Sequence, residues 1–231
     1  MTGLPIVFIP GLTCTGRLYH YQTELLGQSH PILLANHWSA GSMGGIAEKI
    51  LAVAPERFAL AGTSMGGYVA FEILRRAAAR VEKLVLMSTS ARPDTPERSH
   101  VRQQQLEWTR HHGMRAGTKA LWDHLVHPTR HEDHALLHVF VEMAEIVGIE
   151  GFARQTEAII GRADSRPLLD AIKVPTLVIA GADDKLIPPD QSTEIAAGIA
   201  GAKLEIVPDC GHMGMIEKPD TYNRLLSGFL S

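Results

Sequence analysis

Cysteine is almost missing from this sequence: Cys14 and Cys210 are the only two among 231 residues. Two thiols are too few for a disulfide framework, and their scarcity fits a reducing compartment in which both are small buried side chains. Excess charge of one sign is also missing. The formal net charge is −3, and no Lys/Arg stripe gathers anywhere along the chain, which removes the electrostatic footprint of a nucleic-acid or acidic-membrane partner. Long apolar runs are absent too. The first candidate, MTGLPIVFIPG, lacks a basic start and a small-residue cleavage site and is closed by Pro10-Gly11, so neither a signal peptide nor a membrane span is expected. The expectation from these absences is a cytoplasmic protein. Internal repeats and low-complexity tracts are likewise lacking.

What is present is a chain that is 45% hydrophobic, enough for one large core and short for two separate domains. Six brief runs rich in aliphatic or β-branched residues punctuate it: PIVFIP (5–10), PILLAN (31–36), RFALAG (57–62), KLVLMS (83–88), PTLVIA (175–180) and KLEIVP (203–208). They are near-continuously apolar, as strands buried on both faces should be. Between most of them lie helix-like segments at about 13–27, 43–54, 66–79, 190–200 and 219–230. That alternation predicts right-handed βαβ units around a parallel sheet, with functional loops at the carboxyl ends of the strands.

One interval breaks the rhythm, because 86 residues separate Ser88 from Pro175. A single crossover helix is far shorter, so this length predicts an insertion with helices of its own. Segments 101–112, 117–126, 130–147 and 151–161 read as helical, with a capping box at Thr129 and Glu132 and a stop at Gly148. The chain thus divides into a core, 1–90 and 173–231, and a helical cap, 91–172.

The stretch GTSMGG, 62–67, follows the third run and opens a helix-like segment. Gly62, Ser64 and Gly66 make G-x-S-x-G, the spacing used when a serine stands on a sharp strand-to-helix turn with its hydroxyl exposed. A serine hydroxyl is a weak nucleophile at neutral pH and needs a base, a group that orients the base, and donors for the oxyanion. His212, in PDCGHMGMIEKP after the last strand, is the candidate base. GADDKLIPP, after the fifth strand, offers Asp183 and Asp184 as the orienting acid. The order along the chain is Ser, Asp, His, which is one of three known orders for such a set.

These three stretches, each after its strand, resemble the α/β-hydrolase superfamily over nearly the whole chain, with the insertion where that family carries its cap. The resemblance implies an α/β-hydrolase fold whose six strands lie second, first, third, fourth, fifth and sixth across the sheet. It favours Asp184, three residues after Gly181, over Asp183, with Asp94 as the fallback because some members place the acid after the fourth strand. It further implies backbone oxyanion donors at Met65 and at Leu12 in IPGLTCTG, whose side chains are candidate walls of an acyl pocket. Where many members have His-Gly in that loop, this sequence has Pro10-Gly11.

The insertion carries His111, His112, His124, His127, His131, His134 and His138. Helical spacing puts His131, His134 and His138 on one face, but no cysteine or carboxylate pattern accompanies them, and the expectation is a polar or pocket-facing surface with no metal. Trp108 and Trp122 are expected to pack within the cap, and Trp38 either to pack or to reach the site mouth. The implied activity is a serine hydrolase, without cofactor, acting on a small-molecule carboxylic ester. A thioesterase, lactonase, carbon–carbon hydrolase or perhydrolase would use the same set, and a slow-turnover ligand-binding receptor would keep it.

Overall fold

The computed structural model describes residues 3–231. Among them, six strands form one sheet: β1 (Ile6–Ile9), β2 (Ile32–Leu34), β3 (Phe58–Thr63), β4 (Val81–Met87), β5 (Thr176–Gly181) and β6 (Lys203–Val207). All neighbours pair in parallel in the order β2-β1-β3-β4-β5-β6, as the family order implies. Burial departs from expectation only at the margins. β1, β3 and β5 are buried throughout, whereas β2 and β6 expose Leu34, Lys203, Glu205 and Ile206. These two strands close the sheet's edges, where the flanking helices no longer cover both faces.

Within the buried strands, alternate residues point to opposite faces. Ile6 and Phe8 of β1, with Ala59 and Ala61 of β3, join one apolar cluster; Val7, Ile9 and Leu60 join the other. Helices α1 (His20–Leu26), α2 (Met43–Val53) and α3 (Met65–Ala77) follow the first three strands. α2 begins where the Ser42 hydroxyl accepts from the N–H of Gly45 at 3.1 Å, satisfying one of the amides a helix start leaves free.

Between β4 and β5 the chain is helical, as its length predicts: α4 (Pro96–His112), α5 (Met114–Leu125) and α6 (His134–Ile160). α4 starts earlier than the apolar pattern suggested, because Thr95 caps it, accepting from the N–H of Arg98, with Pro96 in its first turn. α6 starts later. The expected box at Thr129 and Glu132 is not made: Asp133 is the cap, accepting from the N–H of Leu136 at 2.9 Å, and the Thr129 hydroxyl bonds the His127 ring. Gly148, at φ 68°, interrupts α6 instead of ending it, a conformation that glycine alone adopts without strain. The two segments of α6 serve different cores. Phe140 and Met143 pack with the face containing Phe8, and Ala158 and Ile159 with the face containing Val7. After β5 come α7 (Pro189–Gly198), β6, α8 (Gly214–Glu217) and α9 (Pro219–Leu230).

Candidate active site

Parallel strands end together, so the loops after β1, β3, β4, β5 and β6 share one edge of the sheet. Backbone strain concentrates there. Among the described residues, the non-glycine positions with positive φ are Thr13, Ser64, Ser88 and Asp209, and each lies just beyond β1, β3, β4 or β6. Such conformations cost about 1–3 kcal/mol apiece and persist only where the surroundings impose them.

At Ser64 (φ 54°, ψ −116°) the imposition is visible. Its N–H donates to the Met87 carbonyl at 2.9 Å, and its carbonyl accepts from the Thr89 hydroxyl at 2.8 Å and the Gly67 N–H at 2.9 Å. A Cβ on Gly62 would strike the Gly66 carbonyl, and one on Gly66 would strike the carbonyl of Ile9; these close approaches explain the two glycines of the motif. Serine at a helix start usually spends its hydroxyl on a cap. Ser64 precedes α3, yet its side chain makes no capping bond, which leaves Oγ free.

Asp184 and His212 meet. His212 Nδ1–H donates to Asp184 Oδ2 at 2.7 Å, with both side chains fully buried. The other carboxylate oxygen, Oδ1, accepts from the N–H groups of Leu186 (3.0 Å) and Ile187 (2.8 Å), which fixes the acid's orientation. His212 Nε2 is buried with no partner in the protein. The two alternative acids go elsewhere: Asp183 is half-exposed and 3.7 Å from the His127 ring, and the Asp94 side chain is covered between Arg102 (2.9 Å) and Arg162 (2.7 Å). Burial alone would raise the Asp94 carboxyl, but the two guanidinium groups hold it below the usual carboxylate range.

Ser64 sits where two cavities meet. One of about 270 Å3 opens outward past Tyr68, Arg98, Arg102 and Leu186. The other, about 80 Å3, is lined by Ser64 and His212 together with Met114, Leu121, Phe140 and Phe152. Leu12 borders both cavities. The Met65 side chain instead lies in the core, fully buried, and lines neither cavity. Arg102 and Gln105 of α4 border both cavities; Arg98 and Glu97 line only the wide one, and the smaller one adds Met114, Leu121, Leu125, Phe140 and Phe152.

The remaining expectations sort by burial. His134 and His138 are exposed beside Glu132 and Glu142; His131 precedes α6 and lies near Asp123, so the three do not share one helical face. No group of three His, Cys, Asp or Glu converges as metal ligands among the described residues. Trp122 is buried, its indole N–H donating to the His131 carbonyl, whereas Trp108 is largely exposed and stacks on His112. Trp38 lines neither cavity and packs against Gly151. Burial pushes both thiols, Cys14 and Cys210, up to about 12, so neither is a nucleophile at neutral pH.

Sequence reasoning missed three groups that hold the site. The Tyr19 hydroxyl bridges the Ile9 carbonyl (2.8 Å) and the Thr63 hydroxyl (2.7 Å) beneath the motif. Glu217, buried in α8, accepts from the N–H groups of Gly211 (3.3 Å) and Met213 (3.0 Å) on either side of His212, and from His127 (2.7 Å). His37 and Gln155, both fully buried, grip the loop after β1. Of these, Glu217 alone left a trace, as an acid five residues after the candidate base.

A family model described as the alpha/beta hydrolase fold matches residues 27–219. The chain belongs to this family. Among solved structures similar to it is a thermophilic esterase from Thermogutta terrifontis, 26% identical, at TM-score 0.91 over 99% of this chain and 90% of the esterase. The enol-lactonase from Burkholderia xenovorans LB400 is also 26% identical, at TM-score 0.88 over 98% and 91% of the two chains. A curated 2-hydroxy-6-oxononadienedioate/2-hydroxy-6-oxononatrienedioate hydrolase from Klebsiella pneumoniae is 41% identical over 68 residues, 29% of this chain. That match spans only 24% of the relative's length. This α/β hydrolase has no helix long and apolar enough to cross a membrane among its described residues.

Proposed function

We propose that this α/β hydrolase is a serine hydrolase that cleaves a carboxylic ester of a small or medium, partly apolar substrate. The observation that carries the reading is the buried 2.7 Å bond between His212 Nδ1 and Asp184, which leaves Nε2 unpartnered in a cavity that Ser64 also lines. In this reading His212 Nε2 takes the Ser64 proton as Oγ attacks the carbonyl, and Asp184 holds the ring's tautomer and stabilises its cation. The oxyanion is met by the N–H of Met65, free at the start of α3, and that of Leu12. His212 then protonates the leaving alcohol and activates the water that releases the acid. The reaction needs no cofactor and no metal. The part of the smaller cavity walled by Met114, Leu121, Phe140 and Phe152 suits the hydrocarbon part of the substrate, and the wider one, with Arg98 and the shared Arg102, its polar part.

A second reading, hydrolysis at a lactone or a carbon–carbon bond, is favoured by the local identity to the curated hydrolase and by the overall likeness to the enol-lactonase. Turnover of p-nitrophenyl esters of increasing acyl length, beside Ser64→Ala and His212→Ala, tests the first. Saturable turnover lost by about 10^3-fold or more in both variants is the expected outcome. A parent no faster than Ser64→Ala would exclude simple esters and shift the work to lactones and diketones.

A further inference from the structure

The loop after β1 is a tight turn in which the Cys14 N–H donates to the Gly11 carbonyl at 3.1 Å. Its third residue, Thr13, is left-handed at φ 57°, a place that type II turns usually give to glycine or asparagine. Two buried side chains from outside the loop hold it there. Gln155, in the second segment of α6, accepts the Thr13 N–H on Oε1 at 3.1 Å. His37, after β2, sets Nε2 2.9 Å from the Gly11 carbonyl oxygen. Neither side chain touches the cavities at Ser64.

The peptide unit makes this contact consequential. The Gly11 carbonyl and the Leu12 N–H belong to one rigid trans plane and point in opposite directions. A donor that fixes the carbonyl therefore fixes the direction of the N–H, and polarises it as a better donor. We propose that His37 is a positioning residue for the oxyanion hole: its Nε2–H holds the Gly11 carbonyl and thereby aims the Leu12 N–H at the space beside Ser64.

A carbonyl only accepts and an amide N–H only donates, yet both the Gly11 oxygen (2.9 Å) and the Gln155 Nε2 (3.0 Å) lie against His37 Nε2. The nitrogen serves one of them. A proton on Nε2 serves Gly11 and leaves Nδ1 a bare acceptor and the Gln155 N–H unanswered; a proton on Nδ1 serves Gln155, leaves a buried N–H without an acceptor and sets two lone pairs face to face at 2.9 Å. We assign the proton to Nε2, which makes the shorter of the two contacts the bond. Burial also holds this imidazole neutral, its pKa pushed down to about 4, so the donor persists unchanged through the working pH range. Gly11 itself packs against Ser64, since a Cβ there would lie 3.5 Å from the serine Cβ; a small rotation of its peptide is felt directly at the nucleophile.

The inference rests on the hydrolase reading above, and one experiment separates the two. Parent, Ser64→Ala, His37→Leu and His37→Gln are compared on a p-nitrophenyl ester. Losing an oxyanion donor costs about 10^2–10^3 in kcat, and misaiming one is expected to cost about 10- to 100-fold in kcat for His37→Leu, with KM changed by less than about threefold because the contact acts in the transition state. His37→Gln, whose amide N–H can reach the same carbonyl, should recover most of the loss. A parent with Ser64-dependent turnover whose His37→Leu variant keeps kcat within about threefold overturns the positioning role alone. A parent no faster than Ser64→Ala overturns the ester-hydrolase reading and, with it, the positioning role argued for ester turnover. If His37→Leu does not fold, 15N spectra of histidine-labelled parent decide instead: a neutral ring protonated on Nε2 is expected, and one protonated on Nδ1 overturns the proposal.

Discussion

Glu217 shows how one residue can matter without touching a substrate. Its carboxylate accepts backbone N–H groups from both neighbours of His212, so it sets the stretch of chain from which the imidazole projects. Glu217→Gln replaces one acceptor oxygen with an amide that can only donate toward an N–H. The unsatisfied pair is expected to cost about 1–3 kcal/mol in urea unfolding and to lower turnover, while Glu217→Ala removes all three acceptor contacts and costs more. Burial raises the Glu217 carboxyl above its usual range, and its backbone partners only partly offset this. A raised native pKa contributes stability that is present below the ordinary glutamate range and is lost as pH rises through the raised value. The deficit of Glu217→Gln should therefore be largest at acid pH and shrink toward neutrality. A deficit that grows with pH would contradict the assignment.

Elements impose the next constraint. α4 walls the open cavity through Arg98 and Arg102, and it is held to the segment after β4 by the buried carboxylate of Asp94, which Arg162, just past the end of α6, also grips. Arg162 is almost wholly buried and also lies over the Tyr68 ring at 4.4 Å. Asp94→Asn leaves that guanidinium without its counter-charge, and about 3–5 kcal/mol of destabilisation is expected by urea unfolding. KM should rise with it as α4 loosens. The depressed pKa of Asp94 gives the sign with acid: its contribution is present above the ordinary aspartate range and lost as pH falls through the native value, so the stabilities of parent and Asp94→Asn should converge below about pH 4. The elements also divide what the sequence could disclose from what it could not. The strands, the turn at Ser64 and an acid and a base at strand ends were readable from local signals, namely apolar runs and a glycine pattern, whereas the sheet order and the choice of Asp184 over Asp183 came only through the family resemblance. The start of α6 was misplaced because Thr129 and Asp133 both offer caps, and a side-chain contact to His127 takes the first. Asp94 as an ion-pair hub, Tyr19, His37 and Gln155 were illegible for a different reason. Their partners lie up to 142 residues away, and no periodicity encodes a contact across the fold.

At the scale of the whole molecule, the helical insertion is not carried as a separate body. Trp122, Phe140 and Met143 belong to the apolar cluster under one face of the sheet, with Phe8 and Ile179. Ten or so residues beyond the Gly148 break, Ala158 and Ile159 belong to the other, with Val7 and Val178. Polar bonds reinforce this: Gln155 holds the β1 loop, Arg154 donates to the Trp38 carbonyl after β2, and the His127 N–H donates to the Glu217 carboxylate. Melting the insertion alone would strip apolar cover from both clusters and take the His127 donor from the buried Glu217 carboxylate, at several kcal/mol in total. That exceeds what local opening of a loosely attached lid would cost, so insertion and sheet should unfold together. In urea, the Trp122 fluorescence of a variant whose other tryptophans, Trp38 and Trp108, are replaced by phenylalanine should fall at the same midpoint as far-UV circular dichroism and ester turnover. An earlier midpoint for Trp122 would mean that the insertion opens on its own. The grip of Gln155 on the oxyanion loop would then be lost before the fold is, and activity would track the insertion's midpoint and not that of the sheet.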